Sequence, residues 1–142
     1  MNHPQLPDRV ASHFDASGRP NGWMSRDAFT AFTVGFTLFL AGVPAGLARW
    51  LPRIPDSLIN LPNKAHWLAP GRRAATLRFV GDWLLWQGCA TLGLLLFVFG
   101  EVHRANQSST PRLTAIGAPI AIFLLWTTGA VGLLLARFVR RK

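Results

Sequence analysis

Three apolar runs set the pattern of the chain, from about Ala28 to Ala48, Phe79 to Gly100 and Leu113 to Ala136. Each reaches or exceeds the ~20 residues that a helix needs to cross a hydrocarbon core. Polar stretches separate them, so the predicted architecture is an all-α membrane protein with three transmembrane helices in one membrane domain, 1–142. Its parts are a segment at 1–27, a helix at 28–48, a basic loop at 49–78, a helix at 79–100, a short loop at 101–112, a helix at 113–136 and a basic tail at 137–142.

Local signals refine the connections. Asp15-Ala16-Ser17-Gly18 and Arg19-Pro20-Asn21-Gly22 are successive turn signals, so the N-terminal segment reads as a compact, turn-rich loop. Ser25 stands where a helix N-cap belongs, and Asp27 faces the positive end of the helix dipole. Within the first run, Pro44 removes a backbone bond and predicts a kink. Gly42 and Gly46 lie one turn apart, as on a small-residue packing face. Pro52, Pro55, Pro62 and Pro70 forbid a continuous helix through the basic loop, which leaves Ser57 to Trp67 lying along the interface. Pro70 is placed to begin the next helix, carrying Arg72 and Arg73.

Composition supports the membrane class. Half of the residues are apolar and only 15% are charged, too few to cover a soluble domain of this size. The net charge of +9 sits beside apolar runs rather than on a solvated face, which argues against nucleic acid. Anionic phospholipids of the bilayer are the expected partner. The predicted membrane anchors are Trp50 and Trp67 at headgroup level, with Arg72, Arg73, Arg137, Arg140, Arg141 and Lys142. The four flanks carry 0, +5, +1 and +4 in chain order. The positive-inside rule then places the N-terminus outside and the C-terminus in the cytoplasm of a bacterial inner membrane. No apolar signal-peptide core precedes the first run, and the single Cys89 permits no internal disulfide.

Candidate chemistry is sparse. Asp82 is the one acid inside an apolar run, but Arg78 precedes it by four residues, so an interfacial ion pair is expected. His3, His13 and His103 share the predicted external side with Asp15 and Glu101, yet no pair has zinc-ligand spacing. His13 is expected to bond within its own turn and His103 to lie at a helix end. No histidine pair lies in the apolar runs to hold haem, and no nucleophile elbow or phosphate loop occurs. No catalytic residue, metal or cofactor is expected, and the chain is not read as an enzyme.

The stretch Leu6 to Trp23 is ordered beyond what anchoring requires. Its Leu6, Pro7, His13, Phe14, Gly18, Pro20, Gly22 and Trp23 resemble the pattern of a bacterial membrane domain of unknown function, the 1648 family, which also forms the N-terminal part of SdpI-type immunity proteins. The basic loop is similar through Asn60, Pro62, Asn63, Trp67, Leu68, Ala69, Pro70, Arg72 and Arg73. The resemblance implies a membrane fold and an external motif. Members usually carry a transmembrane helix before this pattern, and this chain, beginning five residues ahead of it, is expected to lack that helix.

Taken together, the expectation is a small, non-enzymatic inner-membrane protein that recognises a ligand or partner, such as a secreted peptide, through His13, Phe14, Asp15, Pro20 and Trp23. The alternative is an accessory subunit packing against a larger membrane complex through Gly42, Gly46, Gly129 and Gly132.

Overall fold

The computed structural model describes residues 6–140; Arg141, Lys142 and His3, named above, lie outside them. The order is β1 (Arg9–Phe14), β2 (Pro20–Ser25), α1 (Arg26–Trp50), two 3-10 turns (Leu51–Arg53 and Asp56–Leu58), α2 (Lys64–Trp67), α3 (Arg73–Ala105) and α4 (Gly117–Val139). The chain is mostly helical, and α1, α3 and α4 are long and apolar enough to cross a membrane. It divides into two compact units: the chain up to Phe39 with Leu92–Ala121, and Leu40–Thr91 with the chain from Ile122 onward.

In the first unit, the N-terminal segment is a β-hairpin rather than a loop with two tight turns. Only the first expected turn forms: the Gly18 N–H donates to the Asp15 carbonyl at 2.9 Å, and Gly18 takes φ +78°. The second turn signal is overridden because Pro20 opens β2 opposite Phe14, where a missing N–H costs little pairing. The strands are antiparallel, and the register shifts between Ala11 and Phe14. Exposure alternates strictly along β2, with Asn21, Trp23 and Ser25 outward. Val10 turns inward with half-buried Phe14 and Met24, meeting Phe29 of α1 and Val102 of α3.

One side chain fastens the hairpin. Asn106, just past α3 and 5% exposed, accepts the Ala11 N–H at 2.7 Å and donates to the Ala11 carbonyl at 2.9 Å. Its amide also reaches the Val102 carbonyl, so it closes the helix end and completes the strand edge together. Ser25 caps α1 as expected, accepting the Ala28 N–H at 3.2 Å. Asp8 and Arg26 form an ion pair at 3.2 Å across the hairpin's exit.

In the second unit, the basic loop folds around Arg73. Its guanidinium donates to Asp56 at 2.8 Å, to the Pro52 carbonyl at 3.0 Å and to the Ile54 carbonyl at 2.8 Å. Beneath it Ile59, Leu68 and Leu77 make a small core with Leu51, Ile54 and Leu61. Arg73 thus serves the loop's fold instead of acting as a headgroup anchor. Trp67 departs from expectation likewise: its indole N–H donates to the Phe138 carbonyl at 2.9 Å, and its ring meets Phe138 edge-on. Asn63, at φ 53°, donates to the Phe138 and Val139 carbonyls. These contacts satisfy last-turn carbonyls of α4 that no helical N–H can reach. Trp50 is 67% exposed, as an interfacial anchor requires.

The helix bounds also differ from the apolar runs. With 33 residues, α3 is about 50 Å long against a ~30 Å hydrocarbon core, so it continues past the apolar run at both ends. It starts at Arg73, leaving Pro70 in a preceding turn. By contrast, α4 begins only at Gly117; before it, the Leu113 N–H donates to the Gly18 carbonyl at 3.0 Å. Gly42, Gly46, Gly129 and Gly132 have open space where a Cβ would stand. Close helix contact falls instead at Gly88, where a Cβ would lie 2.8 Å from the Pro44 ring.

Asn106→Ala leaves the Ala11 N–H and carbonyl buried without partners, a loss of about 2–6 kcal/mol at ~1–3 kcal/mol per orphaned group. Hydrogen exchange of the hairpin amides in detergent should accelerate by on the order of 30-fold or more. Asn63, which serves the other unit, should leave that rate unchanged when replaced by alanine.

Candidate functional site: the N-terminal hairpin

Asn106 fixes the hairpin through one edge, which leaves the outward face of the strands as its free surface. Arg9, Asn21 and Trp23 are exposed there, and His13 is exposed on the side of the hairpin to which Gly22 belongs. Trp23 keeps 44% of its surface open, with the Arg9 guanidinium 5.9 Å from its ring centre. His13 lies over Gly22, where an added Cβ would come within 2.9 Å of the His13 Cβ. Gly22 is therefore needed to admit the imidazole, whose Nδ1 is 3.1 Å from the Ser12 hydroxyl. Among the described residues, no hydrogen bond joins the edge of β2 that faces away from β1.

The five residues singled out from sequence divide in role. His13 and Trp23 face outward. Phe14 is half-buried against the hydrophobic cluster. Pro20 begins β2. Asp15 is engaged by its own turn: Oδ1 accepts the Ser17 hydroxyl at 2.7 Å, the Ser17 N–H at 2.8 Å and the Arg19 N–H at 2.9 Å. Gly18, the glycine of the first turn, is constrained by its surroundings as well. An added Cβ there would strike the Leu113 carbonyl at 2.0 Å, so only glycine lets the hairpin tip approach this backbone. The tip and the chain near Arg112 enclose a cavity of about 550 Å³, lined by Phe14, Asp15, Gly18, Thr114 and Ile120 among others.

The histidines and acids of the expected external side do not converge. Glu101 pairs with Arg104 three residues on, His103 lies in the last turn of α3, and Asp15 is held as described. No group of three His, Cys, Asp or Glu side chains among the described residues is arranged to hold a metal ion. The residue that sequence reasoning missed is Asn106, read only as part of a polar loop. It stands six residues past the apolar run that ends at Gly100, so no local signal marks it.

The Ser17 hydroxyl, and then the Arg19 and Ser17 backbone N–H groups, hold the Asp15 carboxyl below its ordinary value of 3.8. A carboxyl shifted down stabilises the fold fully above that ordinary value and loses this contribution as pH falls through the lowered one. The turn should therefore be intact at pH 6 and loosen only well below pH 4. Backbone amide shifts of Ser17 and Arg19 followed from about pH 6 to 2 should show it, and Asp15→Ala should abolish the transition.

No curated protein and no solved structure matches the chain. Residues 1–39 match the model of the family described as Domain of unknown function (DUF1648), a match that takes in the whole hairpin and the first part of α1.

Proposed function

We propose that this is a small integral membrane protein of the bacterial inner membrane whose hairpin, on the external side, recognises a polypeptide. The observation that carries the reading is the contrast within the hairpin. One strand edge is locked to Asn106 by two backbone-directed bonds, whereas Arg9 and Trp23, the exposed His13 and the outer edge of β2 are left open. A prefixed strand with a free edge and an exposed aromatic suits addition of an extended peptide segment: main-chain bonds supply affinity and side chains supply choice. An exposed tryptophan near an arginine is also the composition of a recognition hot spot.

The likeness of Leu6 to Trp23 to the N-terminal domain of SdpI-type immunity proteins supports a secreted peptide as the occupant. On this reading the protein is not an enzyme and needs no cofactor; its chemistry is that of binding. A second reading, an accessory subunit within a larger complex, is favoured by the open surroundings of Gly42, Gly46, Gly129 and Gly132. Small residues let another helix approach closely.

The external placement of the hairpin rests on the charge asymmetry and is consistent with the first unit, which packs the net-neutral N-terminal segment against the connection after α3, of net charge +1. Ser17→Cys in a Cys89→Ser background should react with a membrane-impermeant maleimide in intact cells. Protection until the cells are lysed would reverse the orientation.

A photo-crosslinking residue at position 23 should give a discrete adduct with a polypeptide, lost when His13 is also replaced by alanine. The same residue at position 46 should give none. Adducts from position 46 alone would favour the subunit reading over the hairpin.

A further inference from the structure

A groove in the second unit runs between α3 and α4, with charge at its mouth and aromatic walls behind. Its volume is about 760 Å³, within the roughly 300–1,000 Å³ of small-molecule sites. Asp82, Arg137 and Phe79 line the mouth, and Trp83, Trp86 and Trp126 line the deeper part. The Arg137 guanidinium sits over the Phe79 ring, 3.8 Å from its centre. Asp82 is one turn further along α3, and a helical Cβ leans toward the helix N-terminus, so its carboxyl is drawn back toward the level of Phe79. Opposite charges therefore line the same groove from α3 and α4.

These charges are not used by the protein. The ion pairs among the described residues are Arg26–Asp8, Arg73–Asp56 and Arg104–Glu101. Asp82 therefore pairs neither with Arg78, as the sequence suggested, nor with Arg137. An unpaired acid on a membrane-spanning segment is costly and calls for a cationic partner. Arg137, though stacked on Phe79, still presents donors suited to a phosphate. Behind the mouth, the wall from Arg137 to Trp126 extends about 16 Å at 1.5 Å per residue, along which an acyl chain can lie.

We propose that this groove binds one phospholipid whose headgroup carries both a phosphate and a primary amine, as in phosphatidylethanolamine. The phosphate meets Arg137, the ammonium meets Asp82, and one acyl chain follows Trp83, Trp86 and Trp126. Three features select it over other lipids. A purely anionic headgroup offers Asp82 nothing and repels it. A trimethylated amine has no N–H to donate to the carboxylate. A headgroup without phosphate leaves Arg137 without an anion.

The test is native mass spectrometry of the delipidated full chain titrated with phosphatidylethanolamine, phosphatidylglycerol and phosphatidylcholine of matched acyl chains. The wild-type protein should bind the ethanolamine lipid at least about five-fold more tightly than either other, a preference that ten-fold per 1.4 kcal/mol places within reach of one charge-assisted bond. Asp82→Asn should bring that lipid down to the level of phosphatidylglycerol, while Asp82→Glu keeps the preference and guards against a folding defect. Arg137→Gln should weaken all three. Equal binding of the three lipids by the wild-type chain, or a preference that survives Asp82→Asn, would overturn the proposal.

Discussion

The amide of Asn106 stands in for a third strand. A two-stranded hairpin is marginal in water on its own, and the outer edge of β1 would leave backbone groups of buried Ala11 without partners. Asn106 supplies a donor and an acceptor on one rigid plane, matched to the N–H and carbonyl of a single residue. Its third bond, to Val102, ties that plane to the end of α3. The hydrophobic contacts of Val10, Phe29 and Val102 follow from this placement, because they need the inner face of the hairpin turned toward the helices. So does the contact of Gly18 with Leu113, in the connection that precedes α4.

The same constraint operates within the second unit, with different residues. The last carbonyls of α4 have no helical partners, and Asn63 and Trp67 donate to them from the basic loop. That loop has little apolar area to hold itself together, only Ile59, Leu68, Leu77 and their neighbours. Arg73 compensates by collecting one carboxylate and two carbonyls, which suits the fork of donors on a guanidinium. The loop's cations are therefore of two kinds. Arg73 is folded in, while Arg53 and Arg78 remain exposed on the surface.

The three long helices were legible because length and hydropathy act locally: a run of ~20 apolar residues declares itself. The cap at Ser25 and the turn at Asp15 to Gly18 were legible for the same reason, since a side-chain oxygen and the N–H groups it accepts lie within four residues. The hairpin was not, because Arg9–Phe14 is a six-residue strand whose inward side chains, Val10 and Ala11, are adjacent rather than alternate. A register shift breaks the two-residue period on which strand reading depends. Asn106 and Trp67 were illegible as fasteners, since bonds spanning 95 and 71 residues leave no local pattern. Glycine spacing pointed to Gly42 and Gly46, yet the close approach falls at Gly88, where the partner is the ring of Pro44.

The candidate site was legible in place but not in composition. Motif residues served two ends that sequence order cannot separate: shaping the backbone and meeting a partner. Gly18 and Gly22 are explained wholly by clearance for Leu113 and His13, Asp15 by its own turn, and Phe14 by the hydrophobic cluster. Once these are set aside, His13 and Trp23 are the motif side chains that no internal contact requires. An exposed indole beside an open strand edge carries a standing hazard of unwanted pairing, and nothing in the fold needs it there. On the function proposed above, a bound partner would cover it.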